Sequence, residues 1–494
     1  MVEDELELHQ AIYQFFLTQI QFGFYSYGET LPSMEELCRH FHVSLDTVNP
    51  AYHRLRQEGY ISLSQKAGAR VAVSYGPQDI RRNIGMFYAC RKNALADLSS
   101  SMWPLFGQIQ YFALKRGPSD LLDRIARLGA GDLLTPYDLW SYVEEKYGCL
   151  GNELLMRLIR YIYLLDHGYY FGFMGDAGFR ENVLARIRDA AALRRGGEWS
   201  ALPGVLSALH DQFAGALTRL YQDTDLIQPP KETAAFRWDA YKKASQLRYS
   251  LAIELLIAIS RGIYPVGSYL PPAQRLAAEK GVSVSTIRRA LCLLNSIGAV
   301  KSSRPLGARV LPPAQSADNC DFTHPVIQRR LCDMAEGLQI FALSARAVFE
   351  ITLARLDAGA LCRWKKRLQA LKSGGHYELV AYASLELLAE HAPCETIRTV
   401  YSVFLRLLFW GYPLRGLREK QENVNLHFIP CFDRMTDALE QGDIAVFSSA
   451  MERLLLHELR VTREELLQLG IAGADAILIP GPGDLCPLAG GSAE

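Results

Sequence analysis

Hydrophobic and polar residues recur at helical spacing along most of the chain, and few stretches alternate as strands do. In the second half, apolar stripes predict one helix over residues 251–260 and another over residues 273–280. Glycines and prolines at 262, 265 and 267 separate the two, and Gly281 is predicted to end the second. This spacing is typical of a helix-turn-helix.

Ser283 is placed to cap a third helix, whose inward face is predicted to be Ile287, Leu291 and Leu294. After Gly298, residues alternate over 299–302 and again over 308–311, on either side of a Pro-Leu-Gly turn. That pattern predicts a two-stranded hairpin, the wing of a winged helix-turn-helix.

The chain repeats itself. The segment that begins at Leu31 reappears from Leu270 without a gap, and residues 151–172 are echoed more loosely by residues 393–416. The matched positions of the first repeat include Leu31/Leu270, Pro32/Pro271, Leu37/Leu276, Val43/Val282, Ser44/Ser283, Thr47/Thr286, Ala51/Ala290, Leu55/Leu294, Gly59/Gly298 and a closing Gly-Ala-Arg-Val. The chain is therefore interpreted as a duplication.

The predicted fold class is mainly α: tandem winged helix-turn-helix domains, each followed by an all-α helical bundle domain. Pro and Gly clusters mark joints at Gly76-Pro77, Pro229-Pro230 and Pro312-Pro313. Pro50 falls near the start of its helix, where it is tolerated, or one turn further on, where it is a kink. The predicted domains are winged helix 1 (1–75), helical bundle 1 (76–235), winged helix 2 (236–313), helical bundle 2 (314–478) and a flexible tail (479–494).

The 494-residue composition is that of a globular, cytoplasmic protein with several cores. No apolar run reaches the roughly 18 residues of a membrane span, and the acidic N-terminus is unlike a secretory signal. The ten cysteines include no C-x-x-C pair, which argues against a zinc knuckle and a disulfide scaffold. The formal net charge is zero, so a nucleic-acid surface must be local.

Such a local surface is predicted in the second copy. Residues 270–311 carry seven basic side chains against one acid, a net charge of +6, whereas residues 31–73 carry five against four, a net charge of +1. The second winged helix is therefore predicted to be the stronger phosphate binder, and DNA binding by the first is left open.

The first turns of the third helix are predicted to enter the major groove of double-stranded DNA, with the wing beside it. The candidate DNA-binding residues of the second copy are Gln274, Arg275, Ser283, Val284, Ser285, Thr286, Arg288, Arg289, Lys301, Arg304, Gly307 and Arg309. Those of the first copy are Ser44, Leu45, Thr47, Asn49, Lys66, Gly68 and Arg70.

Both modules resemble the GntR family of bacterial regulators, whose signature runs leucine-proline-serine, leucine-alanine, valine-serine, threonine-valine, a leucine pair and a glycine-bearing wing. The segment 437–443 with the helix that follows is similar to the closing helix pair of the FadR-like branch. The resemblance implies DNA contacts at Gln274, Val284, Arg288 and Gly307, and at Glu35, Leu45, Asn49 and Gly68. Of the positions where the family prefers arginine, only Arg288 keeps it.

The FadR-like branch often holds a metal with an aspartate and three histidines. Here Ala381 and Leu385, and Leu139 and Val143 in the first copy, stand where its Asp-x-x-x-His pair would be. Side chains without lone pairs cannot ligate a cation, so we predict no metal and no cofactor. The nearby histidines, His391 and His457, are interpreted as surface or core residues.

Two aromatic clusters in the helical segments have two interpretations. They either line a cavity for a small-molecule effector or simply pack the core, since aromatic side chains bury large areas in both cases. The clusters are Tyr161, Tyr163, Tyr169, Tyr170, Phe171 and Phe173 in one copy, and Phe404, Phe409, Trp410 and Tyr412 in the other.

The sequence thus predicts a DNA-binding transcription regulator whose two winged helices act as a pseudo-dimer in one chain. The alternative is a protein-interaction scaffold with degenerate winged helices. No G-x-S-x-G, H-E-x-x-H, phosphate-loop or dinucleotide motif is present, so no enzyme is predicted. No membrane partner is predicted, and the oligomeric state is left open between a monomer and a homodimer.

Overall fold

A computed structural model of the protein describes residues 6–64, 68–130, 135–222, 236, 238, 247–303, 306–375, 377–418 and 424–486. The described residues fall into two compact units. Unit 1 lies within Met1–Cys149, Met156–Arg237 and Asp484–Glu494, and unit 2 within Leu150–Leu155 and Trp238–Gly483. No described helix is long and apolar enough to cross a membrane.

The N-terminal part of unit 1 is a winged helix, here called the first module. It consists of α1 (Leu6–Gln21), α2 (Met34–Phe41), α3 (Leu45–Gln57), β1 (Ile61–Ser64) and β2 (Gly68–Val71). Helix α2 begins with a capping box, in which the hydroxyl of Ser33 accepts from the Glu36 N–H at 3.2 Å and the Ser33 N–H donates to the Glu36 carboxylate at 2.7 Å.

The N-terminal part of unit 2 is the second module, which repeats the same order of elements. It consists of α11 (Leu247–Ser260), α12 (Ala273–Lys280), α13 (Val284–Ser296), β3 (Val300–Ser303) and β4 (Gly307–Val310). Both hairpins are antiparallel and share one register, with Ile61 opposite Val71 and Val300 opposite Val310. The predicted helix-turn-helix and wing are confirmed in both copies.

The long elements in the rest of the described chain are all α-helices, which confirms the mainly α fold class. Those that follow the first module are α4 (Pro77–Ala89), α5 (Lys92–Arg116), α6 (Leu121–Ala130), α7 (Pro136–Gly148), α8 (Glu153–Met174), α9 (Ala177–Gly196) and α10 (Leu202–Gln222). Those that follow the second are α14 (Pro325–Leu353), α15 (Ala358–Ser373), α16 (Val380–His391), α17 (Glu395–Leu407), α18 (Tyr412–Arg418), α19 (Val424–Gln441) and α20 (Ile444–Gln468).

Two local features differ from, or refine, the sequence pattern. Leu291 is only half-buried, and the inward face of α13 is completed instead by Ala290 and Leu293, so the prediction for Leu291 is wrong. Pro50 lies inside α3, in its second turn, where the missing N–H leaves the Asp46 carbonyl without its helical donor.

The predicted tail is described as far as Cys486. In unit 1, the Asp484 carboxylate pairs with Arg116, and the Cys486 N–H donates to the Gln108 side chain at 2.9 Å. The remaining tail residues, 487–494, and the predicted joint Pro229-Pro230 lie outside the described residues.

Candidate nucleic-acid interface

The start of α13 is held by a serine cap. The Ser283 hydroxyl accepts from the Thr286 N–H at 3.1 Å and lies 2.7 Å from the Thr286 hydroxyl and 2.9 Å from that of Ser285. This cap satisfies a backbone donor that the helix itself leaves unpaired. Because Ile287 and Leu294 face the core, the opposite side of the first two turns must face outward.

That outward side carries the positive charge of the candidate interface. Arg288 and Arg289 are exposed, as are Ser283 and Ser285, while Thr286 is half-buried. Neither arginine makes a hydrogen bond or an ion pair with any described residue. The amino end of a helix also presents partial positive charge, so both features favour an anion at this surface.

Two other basic side chains of the second module are already paired with acids. Arg275 lies 2.8 Å from Glu279, and Lys280 lies 2.9 Å from Glu254. Hydrogen bonding to these carboxylates raises the pKa of both cations. Glu279 is already subtracted in the net charge of residues 270–311, but Glu254 lies outside them, so the pair Lys280–Glu254 makes that net charge overstate the positive charge that is free to meet DNA.

The wing lies next to the end of α13, where the Ser302 N–H donates to the Asn295 side chain at 2.9 Å. Lys301, Gly307 and Arg309 are exposed, and the Arg309 guanidinium also donates to the Gly267 carbonyl at 3.2 Å. Of the remaining candidates in this module, Gln274 is exposed, Val284 is half-buried and Arg304 lies outside the described residues.

The same positions look different in the first module. Leu45, which is equivalent to Val284 in the repeat, is 49% exposed, and the exposed Asp46 follows it in the first turn of α3. Thr47 is only 7% exposed and its hydroxyl lies 2.8 Å from that of Ser44, so it stabilises the start of the helix rather than the outward face. Asn49 is exposed where the second module has Arg288.

Its cations are also placed differently. Arg54 pairs with Glu58 at 2.8 Å and stacks on the Tyr13 ring at 4.0 Å, and Arg70 donates to the Gly28 carbonyl at 3.2 Å. The candidates Ser44, Gly68 and Arg70 are exposed, as is Glu35, and Lys66 lies outside the described residues. Among the described candidates, the second module thus exposes two arginines without a hydrogen bond or ion pair, Arg288 and Arg289, where the first module has Asn49 and Pro50.

A cavity of about 250 Å³ lies among α5, α6, α7, α8, α9 and α10 of unit 1. Four of the six predicted aromatics line it, namely Tyr163, Tyr169, Tyr170 and Phe171. Leu139 and Val143, the positions of the absent metal ligands, also line it. Tyr161 instead packs on Phe236 at 5.9 Å and Phe173 on Tyr88 at 5.0 Å.

Sequence reasoning overlooked Lys146, which also lines this cavity. The signal was present, because Leu139, Val143 and Lys146 follow the i, i+4, i+7 spacing of one helix face. A lysine on an otherwise apolar inward face is rare, and this departure from the pattern indicates a candidate functional residue.

In the second copy, the aromatic cluster belongs to the core. Phe404, Trp410 and Tyr412 are buried, and Phe404 packs edge-on against Phe341 at 5.8 Å. Phe409 is half-buried and meets the Tyr382 ring at 5.5 Å. Within the described chain, no group of three or more His, Cys, Asp or Glu side chains is arranged to hold a metal ion.

The winged-helix modules match the family model of the bacterial regulatory proteins of the gntR family, over residues 8–71 and 249–310. A curated relative, an uncharacterized HTH-type transcriptional regulator of Mycobacterium tuberculosis, is 26% identical over 146 residues. That match takes in 28% of this chain and 57% of the relative's length.

Among solved structures, the chain is similar to GntR of Streptococcus agalactiae, with 18% sequence identity and a TM-score of 0.20. That match covers 43% of this chain and 99% of the other. It is also similar to McbR/YncC of E. coli, with 14% sequence identity and a TM-score of 0.23. That match covers 45% of this chain and 100% of the other. TM-scores this low establish no common overall arrangement. The FadR-like branch stays a prediction, whereas the two matches to the family model show that both winged-helix modules belong to the gntR family of bacterial regulatory proteins.

Proposed function

We propose that this chain is a DNA-binding transcription regulator in which the second module makes the main contact with double-stranded DNA. The single observation that carries the proposal is the outward face of α13, where Arg288 and Arg289 are exposed and unpaired among the described residues. Arginine at such a position suits the acceptor edge of guanine or a phosphate. No catalytic role is proposed, and a cytoplasmic location goes with this function.

We further propose that the two winged helices act as a pseudo-dimer that reads an asymmetric site, because they differ in the residues that would face DNA. The domain boundaries given above, from winged helix 1 at 1–75 to the tail at 479–494, belong to this proposal. A small-molecule effector in the helical domains is part of it too.

The test compares equivalent positions of the two modules, Arg288 and Asn49. DNA fragments are first selected from a random pool by the intact chain, and binding is then measured by fluorescence anisotropy. We expect Arg288→Ala to weaken binding by about 1 to 3 kcal/mol, and Asn49→Ala to change it by less than about 0.5 kcal/mol.

Salt dependence and a charge-matched control complete the experiment. Loss of a phosphate contact reduces the slope of log affinity against log salt by about 1, whereas Arg363→Ala, an exposed arginine of α15, should leave affinity and slope unchanged. Equal binding by Arg288→Ala and the unaltered chain would contradict the proposal.

A second candidate function concerns the first module, which would dock a protein rather than DNA. The observation that favours it is the exposed Leu45 beside Asp46 at the start of α3, since an apolar side chain followed by an acid suits a protein surface better than a phosphate backbone. Leu45→Glu would then leave DNA affinity unchanged. A tenfold or greater loss of DNA affinity in this variant would instead assign the first module to DNA.

A further inference from the structure

The cavity of unit 1 is large enough for a small organic molecule. Its volume is about 250 Å³. Because an apolar cavity of about 150 Å³ holds one benzene molecule, this one has room for on the order of ten non-hydrogen atoms. Its walls are mainly aromatic and aliphatic, with Trp103, Phe106 and Phe213 among them. Such walls are suited to the apolar part of a ligand.

Lys146 places a cation in these apolar surroundings. It is 6% exposed, and its ammonium lies 4.4 Å from the centre of the Tyr147 ring and 5.0 Å from that of Tyr142. It makes no hydrogen bond or ion pair with a described residue through its ammonium, and no described residue lining the cavity is Asp or Glu. Ring faces replace only a part of the hydration that this ammonium has lost.

The two acids nearest to it in sequence are engaged elsewhere. The Glu144 carboxylate lies 2.9 Å from His42, and the Glu145 carboxylate lies 2.5 Å from Arg124. Buried lysines are normally paired, so this one lacks the anion that its surroundings call for. A ligand with an anionic group would supply it.

The second half of the chain has no counterpart to this cation. The alignment that puts Ala381 opposite Leu139 and Leu385 opposite Val143 puts Leu388 opposite Lys146. Leu388 is fully buried in unit 2. The charge is therefore a property of the first half alone and is not required by the helical fold.

Helix α7 also contacts the first module from its other side. The Trp140 indole N–H donates to the His40 carbonyl at 3.1 Å, and Glu144 pairs with His42 directly after α2. Glu144 and Lys146 are two residues apart, so one turn of helix joins a module contact to the cavity. A displacement of α7 on binding would therefore reach the winged helix.

We propose that this cavity binds a small amphiphilic carboxylic acid, with its carboxylate on the Lys146 ammonium and its apolar part among the aromatic side chains, and that α7 passes occupancy to the first module. Only the second half of this statement rests on the proposed DNA-binding function. Binding of the acid itself is independent of DNA.

Calorimetry on the full chain tests the binding step, with 3-phenylpropionate and decanoate as acids and 3-phenylpropanol as the neutral analogue. We expect one acid molecule bound per chain, about 10- to 100-fold weaker binding by Lys146→Met, and weaker binding of the alcohol than of the acid. The control is Lys115→Met, which removes another ammonium that lies over aromatic rings, those of Tyr111 and Trp199 at 5.4 and 5.1 Å, and leaves the cavity intact.

Three results overturn the binding site: no binding of either acid, equal binding by Lys146→Met, or equal binding of acid and alcohol by the unaltered chain. Circular dichroism of Lys146→Met shows in the same experiment that the variant is folded. The coupling is tested by DNA anisotropy with saturating acid, which should shift the affinity of the unaltered chain but not of Glu144→Gln. Acid binding without any DNA binding refutes the proposed function and leaves the site standing.

Discussion

Replacing Lys146 by methionine should stabilise unit 1, which is unusual for a change at a buried position. Methionine has a similar length and an apolar, flexible side chain, so it can occupy the same space without a charge. The opportunity arises because the ammonium is buried beside Tyr142 and Tyr147 without a carboxylate.

The magnitude follows from the pKa. Burial lowers the pKa of Lys146 from 10.5 to about 7. Each pKa unit corresponds to about 1.4 kcal/mol, so folding loses on the order of 4 kcal/mol at neutral pH by burying this group. Methionine forfeits the two ring contacts, worth about 1 to 2 kcal/mol together, and the expected net gain is about 2 to 3 kcal/mol.

The pH dependence gives the prediction its sign. Because the pKa in the folded state lies below that in the unfolded state, the unfolded chain binds more protons between about pH 7 and pH 10.5. The free energy of unfolding of the unaltered chain therefore increases as the pH rises through this range, because the destabilising effect of Lys146 decreases. The advantage of Lys146→Met should be fully present below about pH 7 and shrink above it.

Urea unfolding followed by circular dichroism, at about pH 6, pH 7.5 and pH 9, measures this advantage as a shift in the midpoint. Lys115→Met serves as the control and should show neither the gain nor its decline with pH. A Lys146→Met variant that is less stable than the unaltered chain at about pH 6, or an advantage that is independent of pH, would refute the reasoning.

Two further predictions follow from the same geometry. First, acid binding in the cavity should weaken by up to about tenfold per pH unit above about pH 7, because Lys146 loses its proton there. The other titratable groups of the cavity stay neutral in that range. Burial lowers the pKa of His210 on α10, and it raises the pKa of the lining tyrosines, which are Tyr142 and Tyr147 on α7 and Tyr163, Tyr169 and Tyr170 on α8. Calorimetry at several pH values measures the acid affinity, and an affinity that is independent of pH contradicts the prediction. Second, the matched glycines before the wings, Gly298 and Gly59, should differ in how much stability they lose on substitution by alanine. Both have positive φ, +69° at Gly298 and +83° at Gly59. A Cβ at Gly298 would lie 2.1 Å from the Ser316 carbonyl oxygen, whereas a Cβ at Gly59 would meet nothing within 4 Å. Gly59→Ala should lose about 1 kcal/mol and Gly298→Ala at least about 2 kcal/mol more by urea unfolding, and equal losses would show that the contact with Ser316 relaxes.

The winged helices could be predicted from the sequence because their signals are local. A capping serine, a glycine after the second helix and a period of 3.6 residues define α12 and α13 without knowledge of any distant contact. The outward position of Arg288 follows in the same way, since Ile287 and Leu294 define the inward face. The internal repeat extended these conclusions to the first module.

Contacts between elements decided the rest. The sequence places Glu144 and Glu145 next to Lys146, and only the packing of helices shows that both acids pair with other residues and leave the ammonium alone. A cavity is the volume that side chains from six helices fail to fill, so aromatic residues with the same helical spacing line it in one half and close the core in the other. Periodicity identifies the face of a helix that turns inward, whereas long-range packing determines whether that face meets another side chain or a space.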